Sequence, residues 1–312
     1  MRVDVRPFRD ADVAPAAELL ADRHTRQREA EPLLAGLGDA RAEVERAWRA
    51  QEAGGAVALA GGEVVGYLLG SIRESDAWGR HARVGHAGHA SRDPEVVRDL
   101  YAVAAGDWVA AGARLHLALV PALGELVDPW LRLGFGHMQA HALRESGAEP
   151  RPLPAGLVVR RGEIADLRST PSLATVIWEH QRQAPALTGL DAPPPDELLG
   201  GWEDAVADPA SAYFVAELEG AVVGHLLLYP EEPDLATPPG SVYLAVAATL
   251  PEARGRGVGV ALTDHGLAWA REAGYETVHT DWRVPNLESS RFWPHRGFRE
   301  TFYRLARRVE IG

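Results

Sequence analysis

Leu250-Pro251-Glu252-Ala253-Arg254-Gly255-Arg256-Gly257-Val258-Gly259-Val260 is the stretch on which the reading of this sequence turns. Three glycines at alternate positions remove side chains where a backbone turns tightly and where another molecule can approach it. Downstream, Val258, Ala261, Leu262, Ala268 and Trp269 keep a helical spacing, and Gly274 after Ala273 supplies a left-handed stop. The loop therefore opens a helix, whose unpaired N–H groups and positive dipole end suit phosphate oxygens. Arg254 and Arg256 add charge.

Outward from this loop, composition sets the limits. A chain of 312 residues accommodates two domains, each able to bury a core. It is 46% hydrophobic with no apolar run long enough to span a bilayer. The opening Met1-Arg2-Val3-Asp4-Val5-Arg6 carries charge where a secretory leader needs an apolar core, so a cytoplasmic protein without a membrane partner is expected. The absence of cysteine excludes disulfides, thiolate zinc sites and a cysteine nucleophile. A net charge of −12 argues against nucleic acid as a partner. Lysine is absent, so phosphate contacts fall to arginine forks or backbone amides.

Along the chain, Val3 to Phe8 alternates like a strand and Asp10-Ala11-Asp12 offers a helix cap. A helix is expected through Arg41 to Arg49. The runs Ala56–Ala60 and Val64–Leu69 flank Gly61-Gly62 as a hairpin. His81–His89 reads as a strand, Pro94–Ala111 as a helix and Arg114–Val120 as a strand, and Gly134-Phe135 precedes a closing strand from Met138 to Arg144. The proline- and glycine-rich segment after Ser146 then marks a boundary. The same plan restarts at Val158. Val-Val-Gly-x-Leu occurs at 64–68 and again at 222–226, and Gly297-Phe298 repeats Gly134-Phe135. The expected domains are 1–147, a linker 148–155, and 156–312, two copies of one α/β (α+β) plan. Aligning Trp108 on Trp269 sets Pro94 to Arg98 against the glycine loop, so the first copy is expected to lack the phosphate site.

Three glycine-loop chemistries compete for the second copy. A P-loop requires lysine, which the chain lacks. A dinucleotide turn requires G-x-G-x-x-G, and Val260 or Leu262 stands at the third glycine site, so Asp281 at a suggestive distance does not rescue that reading. What remains is Arg254-x-x-Gly257-x-Gly259, with an apolar strand Val242–Ala248 ahead of it and Asn286-Leu287-Glu288-Ser289-Ser290-Arg291-Phe292-Trp293 to Gly297-Phe298 behind it. In this order the motifs resemble the GNAT superfamily of N-acetyltransferases, specifically over Val242–Arg304 and in outline from Val158 onward. The resemblance implies a tandem arrangement with a degenerate first copy, each domain a mixed, mostly antiparallel sheet flanked by helices.

It further implies acetyl-CoA as co-substrate and no metal. The pyrophosphate would lie on amides of Arg254, Gly255, Arg256, Gly257, Val258, Gly259 and Val260, and the pantetheine arm along Ala247, Ala248 and Thr249, where the family splays two strands apart. Asn286, Ser289 and Phe292 would border the arm. The implied reaction is direct acetyl transfer to an amine of a small molecule or peptide, by a monomer or homodimer. Trp293 stands where the family often carries a tyrosine that protonates the leaving thiolate. Tyr243 is the first substitute, read as sharing a strand face with Ala245, Ala247 and Thr249; a buried, bonded phenol is the other use of a tyrosine there. His279 reads as a satisfied core histidine, with His295 and Tyr303 as weaker substitutes. His81, His86 and His89 do not share a face suited to a metal. Arg304, Arg307 and Arg308 read as a solvated tail. The rival reading is a non-catalytic acyl-CoA-binding or regulatory module, favoured by Trp293.

Overall fold

A computed structural model of the chain describes residues 2–147, 151–188 and 193–310, so Ala148, Glu149 and Pro150 of the expected linker lie outside the described residues. Compactness divides the chain into Met1–His141 with Asp234–Ala236 and Glu300–Gly312, and Ala142–Pro233 with Thr237–Arg299.

The first unit runs β1 (Asp4–Pro7), α1 (Val13–Ala30), α2 (Ala40–Trp48), β2 (Ala53–Ala60), β3 (Glu63–Arg73), β4 (His81–Val84), β5 (His89–Ser91), α3 (Val96–Ala110), β6 (Leu115–Pro121), α4 (Gly124–Arg132) and β7 (Gly136–Glu145), whose residues from Ala142 count with the second unit. The second runs β8 (Leu157–Arg161), α5 (Ile164–Ser169), α6 (Ser172–Arg182), α7 (Pro195–Ala207), β9 (Ala212–Leu218), β10 (Ala221–Tyr229), β11 (Ser241–Thr249), α8 (Val258–Glu272), β12 (Thr277–Arg283) and α9 (Leu287–His295). The last strand, β13 (Arg299–Arg308), expected by sequence order in the second domain, groups from Glu300 with the first unit and pairs antiparallel with β6, Phe302 opposite Pro121. Each unit is a mixed, mostly antiparallel sheet flanked by helices. The parallel contacts are β4 with β6 and β11 with β12.

The repeat is visible in packing as well as in sequence. Both Val-Val-Gly motifs carry a bulge at their second valine: register slips past Val65 between Val64 and Gly66, and past Val223 between Val222 and Gly224. A bulge bends a strand and re-aims the residues beyond it. It brings Gly66 so close to α3 that a Cβ there would meet Val96 and Leu100 at 3.1 and 3.4 Å, and Gly224 so close to α8 that one would meet Val258 and Leu262 at 2.9 and 3.1 Å. This register pairs Val96 with Val258, and therefore Trp108 with Ala270, one residue away from the alignment on Trp269. A second shared device holds each first helix: Arg6 grips Asp12, and Arg160 grips Asp166, through paired guanidinium bonds of 2.7 to 3.0 Å.

Two expectations are corrected here. His81–His89 is not one strand: it breaks at Gly85–Gly88, where the Leu69 amide bonds Gly88 O. The three histidines there take separate partners, His81 the Gly79 carbonyl, His86 the Asp234 carboxylate and His89 the Leu119 carbonyl. Arg304 and Arg307 are not a solvated tail, since β13 sets them over the rings of Trp78 and Tyr101. No helix among the described residues is long and apolar enough to cross a membrane.

Burial acts most strongly on three of the buried imidazoles. Burial pushes His89 and His225 down to about 3 and His116 to about 4, while the unfolded chain binds those protons near pH 6.5. The unfolded state thus holds more protons below that pH, and stability, complete above 6.5, drains away as pH falls toward 4. We expect urea unfolding at pH 5 to show a loss on the order of 2 kcal/mol per buried imidazole relative to pH 7.5. An unchanged midpoint would mean that the rings protonate in place.

Candidate active site

In β11, Ala245 has no counterpart on β10, where Leu228 faces Leu244 and Leu227 faces Val246. The extra residue inverts the alternation, so Tyr243 shares its face with Val246 and Ala248. The expected face of Tyr243 with Ala245, Ala247 and Thr249 is therefore incorrect. Val246 and Ala248 pack toward α5–α7, together with Tyr229 opposite Tyr243.

Parallel pairing with β12 extends only through Ser241–Tyr243 against Thr277–His279, although both strands continue. At the parting, the Thr280 hydroxyl donates to Leu244 O at 2.8 Å and occupies a carbonyl the next strand bond would have used. Beyond it the strands enclose a cavity of about 690 Å³. Its floor includes Ala247, Ala248 and Thr249, and its far end is the glycine loop.

That loop ends in left-handed backbone at Gly255 and Gly257, with φ of 75° and 83°. Gly257 is the N-cap of α8 and no side chain caps the helix, so the first amides, of Val258, Gly259 and Val260, border the cavity without a side-chain acceptor. This uncapped helix start and the unpaired strand edge are the two features a phosphate-bearing, amide-bearing ligand such as acetyl-CoA requires, and the residues fit it.

Of the residues singled out in the sequence, Ala247, Ala248, Thr249, Arg254, Gly255, Gly257, Val258, Gly259, Val260, Asn286, Ser289 and Phe292 all line this cavity. Arg256 does not, its guanidinium donating to Glu219 at 2.7 Å. Nor does Tyr243, whose hydroxyl donates to the carboxylate of Asp281; burial first, and that carboxylate second, drive the phenol's pKa far upward. His279 lies flat against Tyr243, centroids 4.9 Å apart, with Nε2 3.0 Å from Glu231.

Sequence reasoning missed three cavity residues that use charge. Asp281 enters it only through its distance from the glycines, as a partner for a dinucleotide turn. His180 on α6 reaches Asn286 Oδ1 at 3.2 Å, and Glu288 meets Arg254 at 3.0 Å. Asn286 also caps α9, accepting from the amides of Glu288 and Ser289 at 3.1 and 3.3 Å.

Residues 174–298 match the model of the acetyltransferase (GNAT) family. This part of the chain is a GNAT domain. The GNAT match stops at Phe298, just ahead of β13. No curated protein matches the chain. Among solved structures, a GCN5-related N-acetyltransferase from Sphaerobacter thermophilus superposes over 99% of this chain and 96% of its own, with a TM-score of 0.59 at 17% identity. A GCN5-related glucosamine N-acetyltransferase region in a fungal multi-domain GH3 beta-N-acetylglucosaminidase covers 98% of this chain and 38% of that one, with a TM-score of 0.54 at 17% identity. A tandem GNAT protein from the clavulanic acid biosynthesis pathway aligns over the full length of both chains at a TM-score of 0.46 and 15% identity. At these identities the likeness shows the GNAT fold alone.

Against this GNAT domain the first unit differs in a definite way. Ser91 faces Gly66 as Thr249 faces Gly224, which makes β5 the counterpart of the cavity-lining end of β11. There the buried guanidinium of Arg23 donates to the carbonyls of His89 and, at 2.6 Å, His86. Burial pulls Arg23 down to about 10, so it remains a cation. Its neighbouring loop spans only Arg92–Glu95, against Leu250–Gly257 in the GNAT domain. Trp130 and Trp293 also correspond, each accepting the amide of the Gly-Phe phenylalanine at 3.2 Å. Truncating Arg23 leaves a cavity and two carbonyls without donors. Arg23→Ala is expected to lower stability by at least about 3 kcal/mol in denaturant titration. A loss under about 1 kcal/mol would show that water replaces the guanidinium.

Proposed function

We propose that the second unit transfers an acetyl group from acetyl-CoA to an amine of a small molecule or peptide, both bound at once, and that the first unit is a scaffold copy without a donor site. The observation that carries this reading is the uncapped start of α8 opening into the gap between β11 and β12. The thioester, when bound, supplies an activated acyl carbon for attack by the amine.

The chain's own residues then have distinct tasks. The amides of Val258, Gly259 and Val260, with the Arg254 guanidinium, hold pyrophosphate oxygens at the positive end of α8. The free backbone of Ala247, Ala248 and Thr249 offers strand-like hydrogen bonds to the pantetheine amides, and Ser289 and Phe292 flank it. Asp281, the carboxylate at the apex of the gap, accepts the proton lost by the amine. Tyr243 fixes that carboxylate by donating to it and, being held protonated, acts as a positioning residue rather than as an acid. Trp293 has no proton to give usefully, and its counterpart Trp130 marks the site as a packing position.

Calorimetry with acetyl-CoA on the wild type and on Gly259→Glu, a helical position whose Cβ would meet its neighbours no closer than 3.6 Å, tests the donor site: the added carboxylate repels the pyrophosphate, and binding is expected to disappear while far-UV circular dichroism is unchanged. Thiol release against a panel of amines tests the chemistry. Asp281→Asn is expected to lower kcat by roughly 10²-fold or more with donor binding retained. Retention of full turnover would remove Asp281 from the mechanism. The second reading, a non-catalytic acyl-CoA-binding or regulatory module, is favoured by the indole at Trp293; it predicts donor binding in calorimetry with no thiol release for any amine.

A further inference from the structure

The arginine that faces the anion site already holds an anion. Arg254 Nη1 donates to Glu288 Oε1 at 3.0 Å, and both side chains line the cavity beside the uncapped amides of α8. Glu288 occupies the second position of α9, where the dipole favours a carboxylate irrespective of Arg254. Its other oxygen, Oε2, stands 3.6 Å from His180 Nε2. The carboxylate therefore keeps the positive dipole end of α9 and a nearby imidazole nitrogen when it gives up the guanidinium.

We propose that Glu288 sets the affinity of the donor site for phosphates, as an internal competitor that occupies Arg254 and must yield it to them. The inference rests on the reading of the cavity as an acetyl-CoA site. Its physical content is a charge balance. With Glu288 engaged, the loop presents partial charges from amides but little net cation, so a ligand gains from Arg254 only if its own charge density exceeds that of one carboxylate. Pyrophosphate meets that condition, and an uncharged pantetheine arm alone does not. Glu288 thereby lowers affinity for every phosphate-bearing ligand while leaving the pantetheine contacts untouched, and its place in the first turn of α9 beside His180 gives the released side chain somewhere else to settle.

The test is a comparison of wild type, Glu288→Gln, Arg254→Gln and the double variant by calorimetry, with three probes: CoA, pantetheine and inorganic pyrophosphate. Trp282 and Trp293, which line the cavity, provide a fluorescence readout for the weak pyrophosphate titration. Removing one negative charge near a partly solvated site is expected to tighten CoA and pyrophosphate by roughly three- to tenfold and to leave pantetheine unchanged. In the Arg254→Gln background the same change is expected to give less than about a twofold effect, because there is no guanidinium left to release. Unchanged or weaker CoA binding by Glu288→Gln would overturn the proposal and make Glu288 a support for Arg254 instead. An equal gain in the Arg254→Gln background would also overturn it, reducing Glu288 to a general repulsion. If wild type binds pyrophosphate but neither CoA nor pantetheine, the acetyl-CoA reading fails, while the pyrophosphate arm still decides whether Glu288 competes for Arg254.

Discussion

One extra residue in one strand governs the second unit. Ala245 sits in β11 without a partner, and a strand carrying such an insertion must bend and twist away from its neighbour. β12 follows it only as far as Tyr243 and His279. From there two continuous strands diverge with polar edges facing each other, an arrangement that costs free energy unless the carbonyls and amides find partners. Thr280 answers the first of these, at Leu244 O, and the remainder are left toward the cavity. The sheet thus holds an edge open to an extended ligand in the middle of a unit, where edges are ordinarily sealed.

The first unit answers the same geometrical problem differently. Where the counterpart strand would offer its backbone to a ligand, α1 delivers Arg23, and the guanidinium meets carbonyl groups without a carboxylate beside it. A buried cation among carbonyl dipoles is an expensive arrangement relative to an apolar side chain. Its presence is intelligible if the backbone it serves was built to be bonded by something. Trp130 and Trp293 complete the comparison, one indole being 1% exposed and the other 6%. The same residue type in both copies makes the tryptophan a property of the scaffold, independent of any chemistry in one of them.

What the sequence made legible was written in local signals. Glycines at alternate positions, an apolar strand before them, a helical period after them and the Val-Val-Gly repeat each depend on neighbours in the chain, and they located the glycine loop at the cavity, the repeat and the GNAT fold. The face of Tyr243 was not legible, because one unpartnered residue at 245 inverts the alternation and nothing in Tyr243-Leu244-Ala245-Val246 announces it. Arg23 lies in a polar stretch of α1 that reads as solvated, and only tertiary structure buries it. His180 and Asn286 meet across 106 positions, and Arg254 and Glu288 across 34, separations at which pattern carries no information. The charged half of the site was accordingly invisible, while its backbone half was not.

The grouping of β13 with the first unit has a consequence for how the chain is made. That unit draws its strand beside β6 from Glu300 onward, and Leu235, 6% exposed, enters its core from the middle of the second half. During synthesis an amino-terminal domain ordinarily folds while the remainder is still being translated. Here the first 141 residues emerge with the edge of β6 bare and a core position unfilled; the second waits for Leu235 and the first until nearly the whole chain has been polymerised. The interval leaves Leu115–Pro121, every residue of which is buried in the finished protein, paired on one side only, with β4. The first half therefore depends on the second for its completion.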